Sequence, residues 1–357
     1  MIVPVVVASL LFLFLFLFVR YVSFPLSPNY LNFIKQANSS TTCSPIYCLI
    51  SIFFFEVPRR FQLKKIVNKY KKELQSLEIK YQFNNLKLSE KEIENYRTII
   101  LESKKNNSND GPYINETLME LLYLYSLIIG KTQLVAISQN TFPLPIVGSV
   151  HLSNEFILFK HLNKDEKFDV HLSIGNFHKH QKGILFEMNS KVIQNNTLFW
   201  QSKSTFLYFT KHNQFDSNSQ SNKDGIKTIK TKFAEAGNAE ISAEYFLPLD
   251  TGKKFASVCG DYNPIHLYRF AAKLFGFRSC IAHGACTLAK SVCFIPKSDQ
   301  LNQLPISCSV YFLKPLLLPA TVNIQCTKAS PTNQILRAYD SKKNADYLLA
   351  EFTLENK

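Results

Sequence analysis

Hydrophobic and polar positions alternate along several stretches of the chain, most regularly in its second half. Alternation with a period of two predicts half-buried strands of an antiparallel sheet, with one face toward the interior. Aromatic-rich extended runs between residues 183 and 209 predict further strands in the first half. The clearest alternating sets are Ile306, Cys308, Val310 and Phe312; residues 322–326; residues 348–354; and, in the first half, Val170, Leu172 and Ile174.

Three apolar segments are predicted to be helices. Residues 117–129 are apolar nearly all round, which predicts a buried helix. Residues 266–275 carry apolar side chains at helical spacing and end at Gly276, which predicts an amphipathic helix of about two turns. Residues 285–294 are small or apolar apart from Lys290, and predict a short buried helix that starts at Gly284. The order of helix and then strands occurs in both halves. The apolar positions of the amphipathic helix are Leu267, Phe270, Ala271, Leu274 and Phe275.

The N-terminal stretch predicts a membrane anchor. Residues 1–19 have no charged side chain and are followed by Arg20. This uncharged run is just long enough to cross a bilayer core of about 30 Å. The alternative is a cleaved signal peptide, but no basic residue precedes the run and no small-x-small cleavage site follows it. A second apolar segment, 44–57, precedes a run of lysine and arginine, which places the following chain in the cytosol. That basic run fits either anionic headgroups or a solvated helix face.

Composition narrows the class of partner. The chain has 357 residues and a net charge of +14, with no RNA- or DNA-binding motif, so we expect no nucleic acid. A basic surface also suits anionic lipid, the phosphates of coenzyme A or an acidic carrier protein. The eight cysteines form no paired framework, which predicts reduced and mostly buried thiols in a cytosolic compartment.

The segment from Asp261 to Gly284 carries the candidate chemistry. Pro264 lacks an N–H and pushes Asn263 toward extended geometry, so the Asp-Tyr-Asn-Pro sequence predicts a turn. Such a turn can bring Asp261 and His266 together, and an acid and a histidine around one water can move two protons. Gly284, at a helix start, would present free backbone N–H groups to an oxyanion.

Three sequence blocks, GDYNPIH (260–266), FGF (275–277) and IAHG (281–284), resemble those of the MaoC-like dehydratases. That family comprises (R)-specific enoyl-CoA hydratases and 3-hydroxyacyl-thioester dehydratases with a hot-dog fold. The resemblance implies that Asp261 and His266 hold the catalytic water and that the Gly284 amide binds the thioester oxygen. It implies supporting roles for Asn263, Pro264 and His283.

The resemblance is fainter in the first half, where residues 142–152 and 199–209 are similar to the first unit of two-unit dehydratases. No Asp-x-Asn-Pro-x-His equivalent occurs there, and His178 and His180 are interpreted as surface residues. We therefore expect this half to be non-catalytic. Cys259 replaces the usual serine before Gly-Asp, which bears on substrate shape more than on chemistry.

Each site residue also has a purely structural interpretation. Asp261 alone could cap a turn, His266 could be a hydrogen-bonded helix-start residue, and Gly284 could be a helix-start glycine. Cys280, His283 and Cys286 form a C-x₂-H-x₂-C pattern that is compatible with zinc. It lacks a fourth ligand at a standard spacing, so we expect no metal and no redox cofactor.

These observations predict an α+β, tandem (double) hot-dog fold, in which each antiparallel sheet wraps a central helix behind a membrane anchor. We predict a hydro-lyase interconverting (R)-3-hydroxyacyl and trans-2-enoyl thioesters of coenzyme A or acyl-carrier protein, in fatty-acid synthesis or related acyl metabolism. The alternatives are a hot-dog acyl-CoA thioesterase and a non-catalytic acyl-thioester-binding protein. Expected partners are the membrane, acyl-carrier protein or fatty-acid synthesis enzymes, and a homo-oligomer is compatible with the sequence. The predicted boundaries are 1–22 (anchor), 23–110 (second apolar segment and basic helical linker), 111–212 (first unit), 213–228 (linker) and 229–357 (catalytic unit facing the cytosol).

Overall fold

The computed structural model describes residues 77–102, 114–139, 141–144, 149–209, 221–237, 241–295 and 300–355. The predicted anchor, the second apolar segment and the basic run that follows it lie outside the described residues.

Both halves of the chain follow one plan, in which a strand is followed by helices and then by four strands. The first half contains β1 (Ile79–Leu86), α1 (Glu90–Leu101), α2 (Glu116–Ser138), β2 (Ser149–Leu158), β3 (Phe168–His180), β4 (Gly183–Gln194) and β5 (Thr197–Phe209). Helix α3 (Ser221–Glu235) precedes the second half. That half contains β6 (Ile241–Leu247), α4 (Thr251–Cys259), α5 (Pro264–Leu267), α6 (Arg269–Leu274), α7 (Gly284–Val292), β7 (Ile306–Phe312), β8 (Ala320–Ser330), β9 (Asn333–Asp340) and β10 (Ala345–Leu354).

The ten described strands form one antiparallel sheet in the order β1-β3-β4-β5-β2-β7-β10-β9-β8-β6. Each half contributes five strands. The strand order of the second half is that of the first half read in reverse, so the second strand of each half lies at the centre of the sheet. The halves meet where β2 pairs with β7, with Glu155 opposite Ser309. The predicted α+β class and antiparallel sheet are therefore confirmed.

The alternation predicted from the sequence reflects burial on one face of the sheet. Val170, Leu172 and Ile174 are buried on β3, while Ile306, Cys308 and Val310 are buried on β7. The six cysteines from Cys259 onward are free and buried, as the sequence predicts.

Helix α2 is the core helix of the first half and confirms the prediction of a buried helix after Thr117. Among the described residues it is the one helix long and apolar enough to cross a membrane, yet 83% of its apolar window is buried within the protein. Trp200 donates its indole N–H to the carbonyl of Leu121, 3.1 Å away, which fixes the helix on the sheet. The segment Tyr125–Ile129 widens into a π-helical turn, a feature frequent at functional sites.

Helix α7 is the corresponding core helix of the second half. Lys290, although buried, donates from Nζ to three carbonyl oxygens at the end of α1. Carbonyls at the end of a helix have no N–H partner within that helix. The ammonium group of Lys290 supplies these hydrogen bonds and so links α7 to α1. The distances are 2.7 Å to Ile99, 3.0 Å to Ile100 and 2.9 Å to Glu102.

Two segments differ from the predicted boundaries. Strand β1 lies within the stretch predicted as a basic helical linker (23–110), but it pairs with β3 and belongs to the first half. Residues 221–228, predicted as linker, begin α3, whose Ile229 is buried against Ile335 and Leu349 of the sheet. Both segments are rich in polar residues and bury few apolar side chains, and their short apolar patterns lie among charged residues.

Candidate active site

The candidate site begins where α4 ends. Gly260 has a left-handed backbone (φ +77°), which a side chain would disfavour. This reversal brings Asp261 out of the helix and into the turn that precedes α5. The Asp261 N–H points back to the Cys259 sulfur at 3.4 Å, so the cysteine at this unusual position still serves as an acceptor.

The turn itself is fixed by local hydrogen bonds, as the sequence predicts. Asn263 donates its backbone N–H to the Asp261 Oδ1 at 3.1 Å. The Asn263 side chain in turn accepts from the Ile265 N–H at 3.4 Å and caps α5, with Pro264 at the first helical position. Proline suits that position because its missing N–H would have no partner there.

His266 points its Nε2 toward the Asp261 carboxylate. Its Nδ1 lies 2.8 Å from the carbonyl oxygen of Ile281, and because a carbonyl can only accept, Nδ1 carries the proton. In the neutral ring, Nε2 is therefore an acceptor. It lies 3.7 Å from the Asp261 Oδ2, which is too far for a direct hydrogen bond. One water could bridge the two groups.

His283 completes a cluster of three. It stacks on His266 with ring centroids 3.7 Å apart and donates from Nε2 to the Asp261 backbone carbonyl at 3.0 Å. Burial, and the neighbouring His266, hold the pKa of His283 well below its usual value, against the opposing effect of Asp261. His283 therefore stays neutral, and its buried Nδ1 has no hydrogen-bond partner among the described residues.

Gly284 is the first residue of α7, so its N–H has no carbonyl one turn earlier to bond. A Cβ at this position would lie 2.7 Å from the ring of Phe312 on β7. The close approach of that ring requires glycine, and it places an apolar wall beside the exposed amide.

Gly252 on α4 is a site residue that the sequence analysis missed. A Cβ there would lie 2.0 Å from the carbonyl oxygen of His266, so the backbones of α4 and α5 are in direct contact. The sequence carried no clear signal for this contact, because Gly252 is only the second residue of α4.

The first half also reaches this region through two residues with no motif. His151 on β2 lies 4.9 Å from Phe312 between ring centroids, and its Nδ1 lies 3.4 Å from the Tyr125 hydroxyl. Burial lowers the pKa of His151 to about 4. Burial raises the pKa of Tyr125 well above its usual value, and the nearby Asp261 charge adds to the rise. His178, by contrast, is exposed on β3.

The predicted amphipathic helix after His266 is partly wrong. Tyr268 is extended and breaks it into α5 and α6. Ala271 is buried as expected, but Phe270 and Leu274, assigned to the apolar inner face, are exposed. Because α6 packs closely on its small residues, its large apolar residues point outward. Gly276, with φ +84°, ends the segment as predicted.

The zinc pattern does not assemble into a site in the described part of the chain. There, the one group of three or more potential ligand residues with atoms within 4.8 Å of each other is Asp261, His266 and His283. Neither Cys280 nor Cys286 belongs to this group, and Cys286 is buried on α7. Within this group, His283 Nε2 and His266 Nδ1 each bond a backbone carbonyl, so these two nitrogens are occupied.

Comparison with known proteins identifies this arrangement. Residues 228–343, which hold the whole cluster, match the profile of the MaoC-like domain. This segment is similar to the MaoC-like dehydratases, and the match covers less than half of the chain. The chain is also similar to 3-hydroxyacyl-thioester dehydratase X of Mycobacterium tuberculosis, with 30% identity over 183 residues. That alignment covers 51% of this chain and 61% of the relative, so it spans less than two thirds of the relative's length.

Solved structures of MaoC-like proteins share the fold. The crystal structure of HtdX from Mycobacterium tuberculosis is similar with a TM-score of 0.58 at 22% identity, covering 77% of this chain and 99% of that one. A MaoC-like dehydratase from Phytophthora capsici gives 0.54 at 16% identity, covering 80% and 99%. These likenesses show a hot-dog-like fold, in which a long antiparallel sheet encloses a central helix.

Proposed function

We propose that this protein is a hydro-lyase that interconverts (R)-3-hydroxyacyl thioesters and trans-2-enoyl thioesters plus water. The observation that carries the proposal is the pairing of the Asp261 carboxylate with the acceptor Nε2 of His266, beside the free helix-start amide of Gly284. The similarity to 3-hydroxyacyl-thioester dehydratase X supports the class of substrate.

In the hydration direction, Asp261 and His266 hold one water between them. The pair accepts one proton from this water as its oxygen bonds to C3, and returns one proton to Cα, so the protonation of the pair is unchanged after turnover. Acid–base groups of this kind contribute typically about 10²–10⁴-fold in rate. Dehydration is the same sequence in reverse.

Negative charge develops on the thioester oxygen during either direction. The N–H of Gly284, at the positive end of the α7 dipole, is directed to stabilise it. One such fixed donor contributes about 3–4 kcal/mol to the transition state. Glycine allows the thioester to approach the backbone closely.

His283 acts as a positioning residue. Its hydrogen bond to the Asp261 carbonyl and its stacking on His266 hold both catalytic groups from one ring. Because burial keeps His283 neutral, it places no second positive charge beside His266 when that residue takes a proton.

The substrate carrier is coenzyme A or an acyl-carrier protein, and the reaction belongs to fatty-acid synthesis or related acyl metabolism. We also propose that residues 1–22 anchor the chain in a membrane with the catalytic half in the cytosol. The support is the uncharged N-terminal run and the basic stretch that follows residue 57.

The test replaces Asp261 with asparagine, which keeps the size but removes the charge and the base. The purified full chain is given crotonyl-CoA and a long-chain trans-2-enoyl-CoA, and both hydration and free-thiol release are followed. Asp261→Asn should lower the hydration rate about 10²–10⁴-fold, and His266→Ala should add little to it because the two act as a unit.

Asp250→Asn is the matched control. Asp250 is an exposed carboxylate at the start of α4, and among the described residues its one ion pair is with Lys254, 3.4 Å away, so its loss should leave turnover unchanged. A folded Asp261→Asn protein that hydrates enoyl-CoA at the wild-type rate would falsify the proposed chemistry. Thiol release without hydration would instead identify a thioesterase.

A further inference from the structure

Helix α6 and the residue after it expose three large apolar side chains beside the candidate active site. Leu274 is 71% exposed, Phe270 is 55% exposed and Phe275 is 46% exposed. In the described part of the chain, only Phe209 and Leu249 are other large hydrophobic residues with comparable exposure. Contiguous apolar exposure of this kind marks an interaction surface.

Four cations lie on or next to this segment: Arg269 and Lys273 on α6, Arg278 in the loop after it, and Lys253 on α4, whose Nζ lies 5.0 Å from the ring centroid of Tyr268. All four are exposed, and none forms an ion pair with a described carboxylate, although many other lysines and arginines in the described ranges do. Asp261 is the only acidic residue between 251 and 295, and it faces the two histidines. The three apolar and four basic residues together are termed the α6 patch.

We propose that the α6 patch docks on an anionic phospholipid surface, with its apolar side chains among the headgroups and its cations on the phosphates. Apolar side chains flanked by lysine and arginine are the chemistry of interfacial membrane binding. Each nearby cation is attracted to an anionic leaflet. The patch faces outward from a short helix, so its side chains can enter the lipid surface without any rearrangement of the core.

Charge argues against a second copy of this chain as the occupant. A twofold interface places a surface against itself, so it would bring these four cations, none of them paired with a described carboxylate, close to their own copies. The sequence favours lipid over an acidic protein, because the predicted N-terminal anchor would hold this surface close to a bilayer.

Docking through this patch would set the active site against the membrane. Helix α6 connects the turn that holds His266 to the loop that leads to Gly284, so lipid contact falls next to the catalytic groups. An acyl thioester residing in the leaflet could then reach the site without crossing bulk water.

The test places a fluorophore in the patch of the full chain. The protein has one tryptophan, Trp200, which is fully buried. Leu274→Trp therefore adds an exposed reporter at a position that tolerates change. The protein is reconstituted with vesicles of brominated phosphatidylcholine and phosphatidylglycerol, and quenching of tryptophan emission by the bromine is measured.

Thr332→Trp is the matched control. Thr332 is exposed in the turn between β8 and β9. Its carbonyl accepts a hydrogen bond from the Leu354 N–H, and Leu354 pairs with Ile306 at the start of β7. Thr332 therefore lies at the end of β7 that is far from Phe312. Both variants have the same N-terminal segments, so only the face that touches lipid distinguishes them.

We expect quenching of L274W but not of T332W. The quenching of L274W should be weaker in vesicles without phosphatidylglycerol. It should also be weaker in the triple variant Arg269→Gln, Lys273→Gln and Arg278→Gln. Equal quenching of both reporters, or of neither, would overturn the proposal. An increase in KM for crotonyl-CoA in the triple variant, without quenching of L274W, would also overturn it, because the patch would then bind the phosphates of coenzyme A. The quenching does not depend on turnover, so its failure is separate from failure of the proposed reaction.

Discussion

Gly252 should be essential for activity although it touches no substrate. A Cβ at this position would lie 2.0 Å from the carbonyl oxygen of His266. Non-bonded heavy atoms settle at about 3.5 Å or more, so Gly252→Ala must separate α4 from α5 by about 1.5 Å. The atom in the way belongs to the backbone and cannot rotate aside.

The displacement can be converted to a rate. His266 is held on one side by this contact and on the other by the hydrogen bond from Nδ1 to Ile281. A misplacement of about 1 Å in a catalytic group costs about 10²-fold in rate, or about 2.7 kcal/mol of transition-state stabilisation. The loss should fall mainly in kcat, because His266 is proposed to act in the chemical step.

The assay is the steady-state hydration of crotonyl-CoA by the full chain, with circular dichroism and the melting temperature recorded alongside. Gly130→Ala provides the matched control, since it is also a helical glycine but its Cβ would meet nothing nearer than 3.5 Å. That variant should keep wild-type turnover. If a folded Gly252→Ala protein kept wild-type kcat, the α4–α5 contact would not be what positions His266.

Two further predictions concern other parts of the protein. The full chain should remain in the membrane fraction after carbonate extraction because residues 1–19 carry no charge, and its release into the soluble fraction would contradict the anchor. His151 has a folded-state pKa of about 4, below its unfolded value of about 6.5. Between these two pH values the unfolded chain binds a proton on this histidine and the folded chain does not. The free energy of unfolding therefore falls as the pH drops from about 6.5 to 4. His151→Phe should remove up to about 1.4 kcal/mol per pH unit of that loss, as measured by urea unfolding at a series of pH values; an unchanged slope would show that His151 does not titrate this way.

The turn that holds Asp261 could be predicted from sequence because its determinants are local. Asp261, Asn263 and Pro264 set the turn through hydrogen bonds and steric limits that span two residues. The left-handed Gly260 is equally local, since only its own backbone requires glycine. Strand alternation was readable for a similar reason, because one buried face repeats every second residue.

The remaining features depend on contacts between segments distant in sequence. Whether Phe270 and Leu274 face inward or outward is decided by what α6 packs against, and helical spacing alone placed them on the wrong side. Strand β1 was assigned to a linker because its alternating stretch is short and lies among charged residues, and its place in the sheet is set by pairing with β3, almost ninety residues later.

The same distinction separates the two groups of site residues. The sequence by itself determined the residues whose chemistry and spacing are contained in one segment, namely Asp261, His266 and the helix start at Gly284. The tertiary structure alone decided that Gly252 presses on His266, that His283 stacks on it, and that His151 approaches from the other half. Spacing within a segment follows from backbone geometry, whereas contact between segments follows from how whole helices and strands fill a common core.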